Sequence, residues 1–76
     1  MYSKIRLDAI AKEKAKDLHD ELYPKNLGDA AKVKAIEVRL VIIAKYEGMA
    51  TILRELGANV RKIEEIINEE IRHMTS

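Results

Sequence analysis

Apolar residues recur every three or four positions in three stretches of the chain, and this spacing predicts an all-α protein. In the first stretch a single apolar stripe lies opposite a charged face, and it consists of Leu7, Ile10, Ala11, Ala15, Leu18 and Leu22. Ser3 is a suitable N-cap for this helix. Pro24 ends it, because the residue before a proline is pushed out of the helical conformation. We predict the first helix over about residues 3–23.

The second stretch is apolar on more than one side. We predict a helix over about residues 27–56, with Asn26 as the N-cap and Gly57 just after the C-terminus. The run from Leu40 to Ala44 covers every direction of a helical turn, and a helix that is apolar all round must be surrounded. The two flanking helices of a 76-residue chain cannot surround it. We therefore expect a three-helix antiparallel unit with a long central helix, assembled as a dimer or higher symmetric oligomer.

The predicted oligomer interface lies on this second helix. It consists of Val38, Val41, Ile42, Ala44, Gly48, Met49 and Ile52. Ala44 and Gly48 are four positions apart, and small side chains at that spacing let two helices approach closely. A glycine inside a helix costs about 1 kcal/mol relative to alanine, so a close crossing of two helices would offset this cost. A tolerated glycine or a slight kink explains Gly48 equally well.

The third stretch has the most regular pattern of the three. Asn59 is the natural N-cap, and the helix is predicted over about residues 59–74 within a single domain of residues 1–76. Its apolar stripe consists of Val60, Ile63, Ile66, Ile67, Ile71 and Met74. Its predicted outer side carries Glu64, Glu65, Glu69 and Glu70.

The junction between the last two helices resembles that of helix-turn-helix proteins. Leu56-Gly57-Ala58-Asn59, followed by Ile63 and Ile66, has that family's apolar-Gly-x-cap spacing and its two core positions over roughly twenty residues. The resemblance implies DNA binding through the third helix. The glutamates on that helix would repel DNA phosphates, so nucleic acid is not the expected partner. A nucleic-acid-binding regulator remains a further alternative.

Composition narrows the chemistry of the chain. With 14 Lys and Arg against 13 Asp and Glu, the net charge of +1 gives no global attraction for nucleic acid or an anionic membrane. There is no Cys, and two His residues are too few for a structural zinc site. Glu70 and His73 have a spacing found in carboxylate-bridged metal sites, but further ligands are missing, so we expect no metal and no cofactor. The N-terminus has no apolar signal segment and no apolar run could span a membrane, which predicts a cytoplasmic protein.

The sequence contains no nucleophile–base pair, metal cluster or glycine-rich phosphate loop, so we do not expect an enzyme. The function that we predict is a non-catalytic, self-associating helical interaction protein that acts as an adaptor, inhibitor or small regulator. Another protein is a possible partner besides a second copy. The alternative is an oligomeric protein that binds or sequesters a small anion or nucleotide through Tyr23, Lys25, Asn26 and Lys32. An engineered helical bundle is also compatible with the sequence.

Overall fold

The described residues form three helices that pack against one another in every pairwise combination. A computed structural model describes residues 3–24 and 35–75. The first helix, α1, spans Lys4–Leu22, the second, α2, spans Ile36–Glu55, and the third, α3, spans Arg61–Thr75. The predicted all-α, three-helix arrangement is confirmed for this part of the chain.

The first helix agrees with its predicted pattern. The hydroxyl of Ser3 accepts a hydrogen bond from the backbone N–H of Arg6 at 3.2 Å, which satisfies one of the free donors at a helix N-terminus. The side chains that α1 buries repeat at steps of three and four, and they are Leu7, Ala11, Ala15, Leu18 and Leu22. The predicted N-cap and apolar stripe of the first helix are therefore confirmed.

The second helix begins at Ile36 in the structure. Ala35 has an extended backbone with ψ of 151°, so the predicted continuous helix over residues 27–56 is interrupted there. Residues 27–34 lie outside the described part of the chain. The described α2 has 20 residues against 19 in α1, so a long central helix is not confirmed.

Gly57 ends the second helix as its position predicts. Its φ of 103° lies in the left-handed region that glycine adopts without a steric cost. The chain then reverses, and the backbone N–H of Ala58 donates to the carbonyl of Leu53 at 2.9 Å, a bond typical of glycine-ended helices. The side chain of Asn59, the predicted N-cap of the third helix, accepts from the backbone N–H of Arg61 at 3.0 Å.

Hydrogen bonds connect the first turns of α1 to the turn between α2 and α3. Lys4 Nζ donates to the carbonyl of Gly57 at 3.0 Å, and the backbone N–H of Asn59 donates to Asp8 Oδ1 at 2.8 Å. The hydrogen bond from Asn59, followed by the contact with Lys4, lowers the pKa of Asp8 below its ordinary value. These contacts set the position of α1 against the N-terminal end of α3.

The hydrophobic core draws on all three helices and on the turn before α3. Besides the α1 stripe, it contains Ile42, Ile43, Tyr46, Ala50, Leu53, Ala58, Val60, Ile63 and Ile67. Ile10, Met49, Ile66 and Met74 are partly buried against it. No helix in residues 3–24 and 35–75 combines the length and the apolar character that crossing a membrane requires.

Two neighbouring residues of α3 exchange their predicted places. Glu70, predicted to lie outside, is only 2 % exposed, whereas Ile71, predicted in the apolar stripe, is exposed. Glu70 follows Ile67 by three positions and precedes Met74 by four, so it shares their side of the helix. The predicted stripe was therefore wrong at this turn, and the core accommodates a carboxylate because partners from α1 and α2 reach it.

Candidate interaction surface

The second helix has one side in the core and an apolar side in solvent. The residues that it buries are Ile42, Ile43, Tyr46, Ala50 and Leu53. At 100° per residue, the opposite side of the helix presents Leu40, Val41, Ala44, Gly48 and Ile52, which we call the outer face. All five residues are exposed.

The large side chains of the outer face are mostly in water. Val41 is 68 % exposed, Ile52 is 61 % exposed and Leu40 is 50 % exposed. Single exposed apolar residues are ordinary in soluble proteins, but these lie within one contiguous helix face. Ile36, Val38 and Leu56 extend the apolar exposure to both ends of α2. No residue among 3–24 and 35–75 covers this surface.

Gly48 lies at the centre of the outer face and has no packing reason inside the described chain. A Cβ built at Gly48 would meet no atom within 4 Å. Glycine inside a helix is less stable than alanine by about 1 kcal/mol, and no neighbouring backbone here requires its small size. The position therefore allows close approach by something outside the protomer.

The structure divides the predicted interface residues into two groups. Val41, Ala44, Gly48 and Ile52 belong to the outer face, and Val38 is exposed beside it. Ile42 is buried in the protomer's own core, and Met49 is partly buried against that core. Leu40, which is not among the predicted interface residues, is exposed on the same face as the first group.

A first polar cluster joins α1 to the inner side of α2. Glu21 accepts hydrogen bonds from Lys45 Nζ at 2.9 Å and from the hydroxyl of Tyr46. Burial, followed by the hydrogen bond to Glu21, raises the pKa of Tyr46 well above its ordinary value. The tyrosine therefore stays a neutral donor, and the cluster fixes α2 so that its outer face points away from α1.

A second polar cluster joins all three helices. The carboxylate of Glu70 on α3 accepts a hydrogen bond from the hydroxyl of Tyr23, which follows α1, and forms an ion pair with Arg39 in the first turns of α2. Burying a carboxylate without partners would be costly, and these two groups compensate it. The cluster has a structural explanation and supplies no free catalytic group.

Neither cluster is predicted by the sequence pattern. The signal for Glu70 was its spacing from Ile67 and Met74, and the signal for Arg39 was its isolation among apolar residues of the second helix. The pairing itself joins residues far apart in sequence, so it depends on how the helices pack.

The predicted ligand site can be assessed only at Tyr23. Lys25, Asn26 and Lys32 lie outside the described residues. The ring of Tyr23 lies 5.5 Å from that of His19, beside an open groove of about 590 Å³ whose other lining residues include Glu65 and Glu69. Lys62 also lines this groove, but the carboxylates of Glu65, Glu69 and Glu70 outnumber it, and this negative excess disfavours a phosphate or nucleotide.

The Glu70 and His73 pair does not form a metal centre in the described structure. Glu70 is buried in its cluster, whereas His73 lies on the surface 3.9 Å from Glu69. Within residues 3–24 and 35–75, no three His, Asp or Glu side chains are arranged to hold a metal ion.

The junction that resembles a helix-turn-helix presents an acidic third helix. Glu64, Glu65 and Glu69 lie on the side of α3 that faces away from the core, and Arg54 and Arg61 are engaged with Glu64 and Glu65 at 2.9 Å and 3.1 Å. This surface would be repelled by a phosphate-lined groove.

No protein-family model, curated protein or solved structure matches this chain. Its function must therefore be inferred from its own residues. Among the described residues, the outer face of α2 is an extended exposed apolar surface.

Proposed function

We propose that this chain is a non-catalytic interaction protein that binds through the outer face of α2, with a second copy of itself as the main partner. The observation that carries the proposal is the contiguous apolar exposure of Leu40, Val41 and Ile52 around the small residues Ala44 and Gly48. A surface of this kind on a helix is typical of protein–protein contacts.

The free energy gained by burying apolar side chains supports association through this face. A chain of 76 residues has a small core and gains comparatively little from burial within one copy. Covering Leu40, Val41 and Ile52 would contribute roughly 1–2 kcal/mol for each side chain, since all three are at least half exposed in the protomer. Association would therefore add a substantial fraction to the stability of a small domain.

The particle mass in solution, measured against protein concentration, tests the proposal. Analytical ultracentrifugation of the wild type should show a mass that rises above 8.7 kDa as concentration increases. In Val41→Lys the charged side chain would have to be buried in the contact, so we expect association to weaken at least tenfold (about 1.4 kcal/mol).

Ile71→Lys provides the matched control, because Ile71, like Val41, is an exposed β-branched apolar residue, but it lies on α3, away from the outer face. It should retain the association of the wild type. A wild-type chain that remains a folded single copy at high concentration would contradict self-association, as would equal behaviour of the two variants.

A further inference from the structure

A second apolar surface lies between the N-terminal parts of α1 and α3. It is an open groove of about 700 Å³, and its apolar part is formed by Ile5 and Ala9. Ile5 is 84 % exposed, the highest exposure among the large apolar residues described. The cationic side chains Lys12, Arg61 and Lys62 also line it. Asp8, Asn59 and Glu65 complete the lining, and we call this surface the basic groove.

Among residues 3–24 and 35–75, the charges around the basic groove add up to a positive excess. Its two carboxylates form close contacts, since Asp8 bonds to Lys4 and Glu65 bonds to Arg61, each at 3.1 Å. Lys62 forms no salt bridge with another described residue, and neither does Lys12, although Lys12 lies near enough to Asp8 to help lower its pKa. An exposed isoleucine beside two unpaired lysines favours a partner that is apolar with acidic edges.

The outer face of α2 has this complementary character. Its central line continues at both ends into acidic residues, because Glu37, Val41, Ala44, Gly48, Ile52 and Glu55 follow one another at steps of three and four. Glu37 and Glu55 are exposed, and neither forms an ion pair with another described residue. The face is therefore an apolar strip with a negative charge at each end.

Two outer faces laid along each other would place like charges together. In a parallel arrangement each glutamate meets its own copy, and in an antiparallel arrangement Glu37 meets Glu55. Like charges at close range are unfavourable and act as a specificity element against that pairing. The basic groove offers an outer face both apolar contact and lysines, whose positive charge is opposite to that of Glu37 and Glu55.

We propose that the outer face of α2 in one copy docks into the basic groove of the next copy. This inference rests on the proposed function and names the second half of the contact. Because the two surfaces differ, a pair of copies would keep one unused groove on the first copy and one unused face on the second. The association is therefore head-to-tail, and it continues beyond two copies or closes into a ring.

Mixing two variants tests the head-to-tail contact. Val41→Lys disables the face and leaves the groove intact, whereas Ile5→Glu disables the groove and leaves the face intact; both positions are largely exposed, and circular dichroism checks that each variant folds. Each variant alone should associate at least about tenfold more weakly than the wild type. An equimolar mixture should form particles of two copies and no larger ones, since only one productive contact is available.

The wild type should instead form species larger than two copies. Its association should weaken as NaCl is raised from about 0.05 to about 0.5 M, because salt screens the attraction between Glu37 or Glu55 and the groove lysines. A symmetric contact between two acidic-ended faces should respond in the opposite direction.

Three results would overturn the inference, and they separate it from the proposed function. If Ile5→Glu associates like the wild type while Val41→Lys does not, the contact is between two outer faces, and the proposed function stands without the groove. If both variants are single copies alone and also in the mixture, the groove and the face do not bind each other. If each variant has the same particle mass as the wild type, neither the groove nor the outer face takes part in the association, and the proposed function is contradicted as well.

Discussion

The outer sides of α2 and α3 differ, although both helices contribute to the same core. The exposed side of α3 carries charged and polar residues such as Glu65, Asn68 and Glu69, as expected for a helix that faces water. The exposed side of α2 carries valine, leucine and isoleucine around a glycine. Ile71, which is 40 % exposed, is an exception on α3. The comparison separates the residues that form the core of one copy from the exposed apolar residues of α2, which the proposed function assigns to binding.

Glu70 tests the distinction between the buried and the exposed side of α3, because it is a charged residue on the buried side. We expect Glu70→Ala to lower the free energy of unfolding by about 3–5 kcal/mol, since Arg39, whose side chain is only 13 % exposed, would lose its partner. Urea denaturation followed by circular dichroism measures this loss. The control is Glu69→Ala at the neighbouring exposed position, which should change stability by no more than about 0.5 kcal/mol. Equal effects of the two substitutions would contradict the burial of Glu70.

One isoleucine of α3 and one of α2 provide the next test of the difference between the core and the outer face. Ile63 on α3 is fully buried, so Ile63→Ala should cost about 2–5 kcal/mol of unfolding free energy. Ile52 on the outer face of α2 is mostly exposed, so Ile52→Ala should change the stability of a single copy by less than about 0.5 kcal/mol.

Denaturation at a dilution where the wild type is a single copy gives both values. If Ile52→Ala costs as much as Ile63→Ala at that dilution, the outer face is covered within the protomer and the contrast between the two helices disappears.

The smallest expected effect concerns the glycines of α2 and of the turn that follows it. Gly48→Ala should stabilise a single copy by about 0.5–1 kcal/mol, because the added Cβ meets nothing and alanine is the better helix former. Gly57→Ala should destabilise it, because the φ of 103° is strained for any residue with a Cβ. Melting temperatures of the two variants should therefore move in opposite directions. A loss of stability in Gly48→Ala would show that this position is crowded within one copy.

The sequence predicts a feature well when the relevant signal is local. The Ser3 cap, the end of the second helix at Gly57 and the buried stripe of the first helix all depend on neighbouring positions, and the structure has them. The exposure of Val41 and Ile52 also follows from a helix that is apolar on several sides.

The features that the sequence did not predict depend on packing between helices. Because the second helix is apolar all round, its pattern does not show which side enters the core, and the structure places Ile42, a predicted interface residue, in the core of the protomer. At Glu70 the carboxylate suggested an exposed position, and the cation that compensates it lies on another helix. The second helix begins only after Ala35, although alanine is a good helix former, and no local sequence signal predicts this.

The cluster at Glu70 also bears on how the molecule unfolds. The carboxylate of Glu70, which α3 carries, contacts a group at the end of α1 and a group near the start of α2. Detaching any one helix would break at least one of these contacts, so partly detached states are penalised in addition to their loss of apolar burial. The three helices should therefore melt in a single cooperative transition, in which no helix separates ahead of the others.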